Sequence, residues 1–234
     1  MAAAVAPSNF YHFRLLLFCP ASSRHVVSLA VNRSDAVWEA KNALREYAGA
    51  RRRLAHRQSV SGAGVRGADH FLANVPVAPG AIISGYWPIR DEFDVMPVMR
   101  RLSGAGYRCA LPHVDRKRHV LIFREWRPGT IMLEGPFRIP EPTEDAAQLT
   151  PTLLLVPLLA YDSEGFRLGY GGGYYDSALA SLRAAGGSVL AVGMAFSEQL
   201  VERVPHGGGD EQLDWIVTER GAMLFVRESQ KDNE

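Results

Sequence analysis

The chain has 234 residues, 47% of them hydrophobic and 22% charged, which is the mix of a globular protein with a sizeable core. Its net charge of +1 gives no bulk reason to expect nucleic acid or an anionic membrane as a partner. Two cysteines fit no disulfide framework, seven histidines fall in no metal-ligand spacing, and no apolar run is long enough to span a bilayer. A reducing, cytoplasmic setting and a monomer are the expectations.

Residues 1–35 stand apart. They are apolar, contain serine, carry Arg14, Arg24 and Arg33, and have no acid before Asp35. The run Leu15-Leu16-Leu17-Phe18-Cys19-Pro20-Ala21 resembles the apolar core of a signal peptide. A targeting segment is one reading. An extension or misassigned start before a domain at 36–226 is the favoured one, with a polar, disordered tail at 227–234.

Ser34-Asp35 can cap a helix whose pattern runs through Val37, Ala40, Leu44, Tyr47 and Ala48. Its polar positions carry Lys41, Arg45, Arg51, Arg52 and Arg53, either a solvated basic face or a source of cations for phosphates. Residues 57–79 read as mixed helix and loop. A strand follows at 81–87, then a loop through Glu92 into a helix with Val95, Val98, Met99 and Leu102 on one face. Strands are predicted at 107–111 and 121–126, then a proline-rich connection over 135–151. The apolar run 153–159 predicts a strand, followed by a glycine-rich loop and a helix from Tyr175 to Ala185. A strand at 188–194, a short helical piece at 199–201 and a last strand at 214–218 complete the order. Strands alternating with helices, several of them continuously apolar, predict an α/β fold with a mostly parallel sheet covered on both faces.

Leu168-Gly169-Tyr170-Gly171-Gly172-Gly173-Tyr174-Tyr175-Asp176 is the most informative segment. Glycine lets the backbone turn through φ > 0 and approach a ligand, and converging N–H groups can hold an anion. Asp176 offers the hard oxygen that Mg²⁺ prefers. A flexible turn is the bland alternative, since the spacing is neither of the common nucleotide-loop patterns. The loop lies between a strand and a helix, where open α/β sheets bind ligands. Lys41 and Arg45 share one helix face, Glu92 sits just after a strand, and Asp210 and Asp214 flank the entry to the last strand.

From Lys41 to Thr218 the sequence resembles the 5-formyltetrahydrofolate cyclo-ligases, also called methenyltetrahydrofolate synthetases. The resemblance rests on Lys41-Asn42-Ala43-Leu44-Arg45, Tyr86 to Glu92, Leu111-Pro112 and Phe123-Arg124-Glu125-Trp126. It continues in Ile139-Pro140-Glu141-Pro142, Arg167 to Asp176, and Asp214-Trp215-Ile216-Val217-Thr218-Glu219. It implies a three-layer α/β sandwich similar to sugar-phosphate isomerases and CoA transferases. It also implies ATP- and Mg²⁺-dependent closure of 5-formyltetrahydrofolate to 5,10-methenyltetrahydrofolate, with ATP and a reduced folate as the small-molecule partners. On this resemblance Lys41, Arg45 and the segment Arg167, Leu168, Gly169, Tyr170, Gly171, Gly172, Gly173, Tyr174 and Tyr175 would bind ATP. Asp176 and Asp214 would hold the metal. Tyr86, Trp87, Glu92, Trp126 and Tyr174 would form the folate pocket. Many members carry a basic residue in the loop where this chain has Tyr170 or Gly172. A sugar-phosphate isomerase or CoA-transferase relative, and a catalytically silent binding module, are the competing readings.

Overall fold

The computed structural model describes residues 33–59 and 62–226; the expectations for residues 1–32 and for the tail beyond 226 lie outside the described residues. Helix α1 spans Arg33–Gln58. Its inward stripe is Lys41, Arg45, Ala48, Arg52 and Ala55, at helical spacing, with Ala48, Arg52 and Ala55 buried. Of the predicted apolar face, Leu44 and Ala48 pack inward while Tyr47 is mostly exposed, as is Trp38. The helix turns cations inward because what it covers is largely polar.

Helix α2, Ala63–Asn74, lies within the segment read as mixed, and α3 spans Met96–Gly104. The two pack together, and Gly67 of α2 is in close contact with Phe93: a Cβ there would lie 2.7 Å from its ring.

The central sheet has seven strands. In chain order they are β1 (Ile82–Ser84), β2 (Arg108–Asp115), β3 (Val120–Trp126), β6 (Leu153–Val156), β9 (Leu190–Met194), β10 (Trp215–Val217) and β11 (Ala222–Leu224). Their spatial order is β11-β10-β9-β6-β1-β2-β3. From β10 to β2 every pairing is parallel; β3 and β11 close the two edges antiparallel. The expectation of a mostly parallel sheet holds. Sequence pattern missed β11, which Gly221 returns against β10.

Alternation along β6 shows the double covering. Leu153 and Leu155 enter the core under α2 and α3. Leu154 and Val156 enter a second core with Leu179 of α4 (Tyr174–Ala184). The layers are helix, sheet, helix. All four β6 side chains are buried, which is why the sequence shows a continuous apolar run rather than a polar alternation.

Two hairpins lie off the main sheet. Strands β4 (Met132–Glu134) and β5 (Pro140–Pro142) pair within the proline-rich connection. Strands β7 (Ala160–Tyr161) and β8 (Arg167–Leu168) form a short hairpin between the predicted strand 153–159, of which β6 takes only the first part, and the glycine loop. Buried Asp162 shapes its turn, accepting the N–H groups of Glu164 and Phe166 at 3.0 Å each. That hairpin carries the chain from the end of β6 into the glycine loop and packs Leu168 and Ala160 under Ala48 of α1.

Candidate active site

Helix α1 lies against the connections that leave the carboxyl ends of the strands. Three of its cations meet three loops there. Lys41 forms an ion pair with Asp210 in the loop before β10. Arg45 donates from Nε to the carbonyl of Gly169, 3.0 Å away. Arg52, 2% exposed, donates from Nε to Asp91 at 2.9 Å and from Nη1 to the Leu158 carbonyl at 3.3 Å. It also donates to the Tyr170 hydroxyl and lies over that ring, 5.3 Å from its centroid.

The glycine loop has the geometry its composition predicted. Gly171 and Gly173 have φ of 101° and 67°, in the left-handed region where side chains are strained. Gly171 also makes room: a Cβ there would come 3.2 Å from the Arg45 guanidinium carbon. Gly173 is the residue from which α4 starts, so the first-turn N–H groups of that helix follow the loop directly.

Arg167 is buried and fixed at both ends of its guanidinium. It donates to Asp176 at 2.8 Å and to the Glu211 carbonyl. The N–H of Glu211 donates to the same Asp176 oxygen at 3.0 Å. Burial lowers Arg167 below the ordinary arginine range, with Asp176 and Asp210 opposing it only in part. Burial likewise lowers Arg45 against the pull of Asp210. Both cations are thus under-compensated by the protein, a state that an incoming anion would relieve.

Glu92 is 8% exposed, and burial raises it above the usual carboxylate range. The Ile89 N–H donates to it at 3.0 Å, and the Arg52 guanidinium lies 3.9 Å away. Tyr175 reaches toward it; burial, then the Glu92 charge, push that phenol upward. Tyr174 stacks on His119 from the tip of the β2–β3 hairpin, centroids 4.3 Å apart. A cavity of about 490 Å³ opens between α1 and these loops, lined among others by Arg45, Arg52, Arg53, Arg90, Asp91 and Tyr170.

The structure therefore brings Lys41, Arg45, Glu92 and the segment from Arg167 to Asp176 into one region. It places four other expected residues differently. Tyr86 is 3% exposed and gives its hydroxyl to the Phe93 carbonyl at 2.8 Å; it is a core residue. Trp126, 5% exposed, belongs to the core under α2 and α3, and Trp87 packs against that same core half-buried. Both indoles serve packing, because the strand and loop bearing them turn those positions inward.

Asp214 is held between two strands and a helix. Its carboxylate accepts the Ala191 N–H at 2.7 Å and the Arg183 guanidinium at 3.1 Å. Ala191 is near the start of β9 and Asp214 just precedes β10, so the pair sits toward the amino edge of the sheet. Asp210, four residues earlier, is the acid that reaches Lys41 and the Arg167 region. The sequence offers Asp210 but no signal to prefer it, and Arg52 is one of seven Lys and Arg residues on α1, equally unmarked. Among the described residues, no three His, Cys, Asp or Glu side chains group to hold a metal by themselves. The fold and this arrangement define a class: an α/β protein that gathers cations, a glycine turn and carboxylates at the carboxyl edge of a parallel sheet.

Comparison with known proteins gives that class a family. The sequence model of the 5-formyltetrahydrofolate cyclo-ligase family matches residues 37–219. The 5-formyltetrahydrofolate cyclo-ligase of Escherichia coli K12 is 30% identical over 173 residues, covering 72% of this chain and 94% of that protein. The enzyme of the same name from Haemophilus influenzae is 37% identical over 142 residues, covering 58% and 75%. The solved 5,10-methenyltetrahydrofolate synthetase of Aquifex aeolicus superposes with a TM-score of 0.61 at 25% identity, covering 82% of this chain and 93% of that one. The Mycoplasma pneumoniae synthetase, 23% identical, shares the fold with a TM-score of 0.59 over 76% of this chain and 98% of its own. The chain belongs to the 5-formyltetrahydrofolate cyclo-ligase family, a family of ligases.

Proposed function

We propose that this protein closes 5-formyltetrahydrofolate to 5,10-methenyltetrahydrofolate at the expense of ATP, releasing ADP and phosphate. The observation that carries the reading is the meeting of Lys41, Arg45 and Arg167 around the glycine loop, beside a buried carboxylate at Glu92.

A formamide is a poor electrophile because its nitrogen lone pair is delocalised into the carbonyl. Transfer of the γ-phosphoryl group to the formyl oxygen makes that oxygen a leaving group. The neighbouring folate nitrogen then attacks the formyl carbon, the C–O bond breaks and phosphate departs. Such a sequence asks the protein for position and charge rather than for a covalent intermediate.

The residues divide that task. Lys41, Arg45 and Arg167 stabilise phosphate charge, and the backbone N–H groups from Gly169 to Tyr175 wrap the triphosphate. Glu92 accepts paired N–H donors from the amino-pyrimidine edge of the pterin. Tyr174, braced by His119, borders the folate. Asp176, together with substrate phosphates, would hold Mg²⁺, an ion for which one or two acids suffice. When bound it would neutralise phosphate charge.

A CoA-transferase relative would use a glutamate nucleophile and would need no ATP. The test is growth of the methenyl chromophore when purified protein meets Mg-ATP and 5-formyltetrahydrofolate. Absence of product, or product at the same rate without ATP, overturns the reading.

A further inference from the structure

The glycine loop supplies no cation between Arg167 and Asp176, yet two reach it from α1, Arg45 at Gly169 and Arg52 at Tyr170. Among the described contacts, Arg52 of α1 touches three separate segments: Asp91 beside Glu92, the Leu158 carbonyl after β6, and Tyr170 at the crest of the glycine loop. An arginine 2% exposed is costly to bury, and its planar fork must be matched on several sides to stay there. Here burial weakens its hold on the proton, and the bonds to Asp91 and Tyr170 more than restore it, so Arg52 stays charged.

Its charge has a target. The Arg52 guanidinium lies 3.9 Å from a Glu92 oxygen, close enough to act and too far for a direct hydrogen bond. Tyr170 accepts from Arg52 and also favours the anionic form of the same carboxylate. The opposite carboxylate oxygen takes the Ile89 N–H at 3.0 Å. The described groups that act on or beside Glu92 can be placed by element. Arg52 comes from α1, Asp91 and the Ile89 N–H from its own loop, Tyr86 from the end of β1, and Tyr170 and Tyr175 from the glycine loop and α4. Of these only Arg52 is a cation.

We propose that Arg52 is a positioning residue for the folate-binding carboxylate: acting directly and through Tyr170, it holds Glu92 as an anion aimed at the substrate and ties that carboxylate to the ATP loop. This rests on the assignment of Glu92 to the pterin. The consequence is a link between the two substrates' sites that runs through one side chain of α1. It also gives Tyr170 a purpose: a neutral loop residue serves where the charge is delivered from another element.

The test is the pH dependence of 5-formyltetrahydrofolate binding without ATP, followed by tryptophan fluorescence, together with KM for each substrate in turnover. In Arg52→Met the acid limb of folate binding should move up by about 1 pH unit, the scale of losing an opposite charge at this distance. KM for folate should rise at neutral pH by about tenfold, while KM for ATP changes less than threefold. Arg52→Lys should return the limb to within about 0.3 unit of wild type, because the charge is kept and only the fork is lost. Tyr170→Phe, at a half-exposed position, should shift the limb the same way by a smaller amount; it carries the test should Arg52→Met fail to fold. In a Glu92→Gln background Arg52→Met should cause no further loss of folate affinity. An unmoved acid limb in both Arg52→Met and Tyr170→Phe overturns the proposal. So does an equal loss of both substrates with no shift. Wild-type folate affinity in Glu92→Gln alone would instead overturn the Glu92 assignment on which the proposal stands.

Discussion

Replacing Asp176 by asparagine and by alanine should separate its two tasks. One of its oxygens accepts from Arg167 at 2.8 Å and from the Glu211 N–H at 3.0 Å. Breaking a buried ion pair by removing one partner costs about 3–5 kcal/mol. Here the Asp176 side chain is 28% exposed and Arg167 keeps the Glu211 carbonyl, so Asp176→Ala should cost about 2 kcal/mol, below that range. For a chain of this size that is a fall in Tm of about 4–8 °C. Asparagine keeps a carbonyl oxygen for both donors, and Asp176→Asn should stay within about 2 °C of wild type. Both variants lose the negative charge offered to the metal and should lose about 100-fold in kcat/KM, the scale of one preorganised charge. Thermal unfolding followed by circular dichroism, alongside ATP-dependent methenyl formation over a range of Mg²⁺ concentrations, reads both effects. Asparagine with full activity would remove Asp176 from the metal site. Asparagine as unstable as alanine would show that the charge, not the acceptor geometry, holds Arg167.

Three further outcomes follow from buried groups. Because burial raises Glu92 in the folded state, its ionisation works against folding. Glu92→Gln should therefore have a higher Tm than wild type at pH 7, the gap closing as pH falls from the raised value through the ordinary glutamate range; a constant gap from pH 4 to 7 would contradict the linkage. Gly193→Ala would set a Cβ 2.7 Å from Leu213, 2.8 Å from Ile216 and 2.9 Å from Leu158, in a packed core. Urea unfolding should show a loss of about 1–3 kcal/mol, and a neutral substitution would mean that this core yields more than its packing suggests. Cys109 is 1% exposed and burial pushes its thiol up to about 11. Mass spectrometry should find its peptide unlabelled by a thiol reagent at pH 8 in the native protein and labelled in urea; equal labelling in both states would show that the strand opens readily.

Much of the fold was legible because burial on both faces leaves a strong mark in sequence. Four consecutive buried residues in β6 read as an apolar run. The pattern of Val98, Met99 and Leu102 in α3 gave its packed face correctly. The edge strand β11 and the two-residue strands of the β7–β8 hairpin left no comparable pattern, since two of the three β11 residues are exposed and the hairpin is too short for a period. Helix α1 was found but only part of its inward face was legible. Apolar periodicity locates the side turned toward a hydrophobic core, whereas α1 turns Lys41, Arg45 and Arg52 toward carbonyls and carboxylates.

The same division holds at the site. Sequence by itself determined the glycine loop, because positive φ at Gly171 and Gly173 is a local requirement written in residue type. It also marked Lys41, Arg45, Glu92 and Asp176 as chemistry-bearing groups on particular elements. Tertiary structure alone decided which acids and aromatics stand with them. Asp210 reaches Lys41 while Asp214 fastens the start of two strands; Trp126 and Tyr86 fill the core; Arg52 arrives from 118 residues away to meet Tyr170. Those choices depend on where strand edges and helix faces meet in space, and side chains of one chemical type at neighbouring positions carry no record of that meeting.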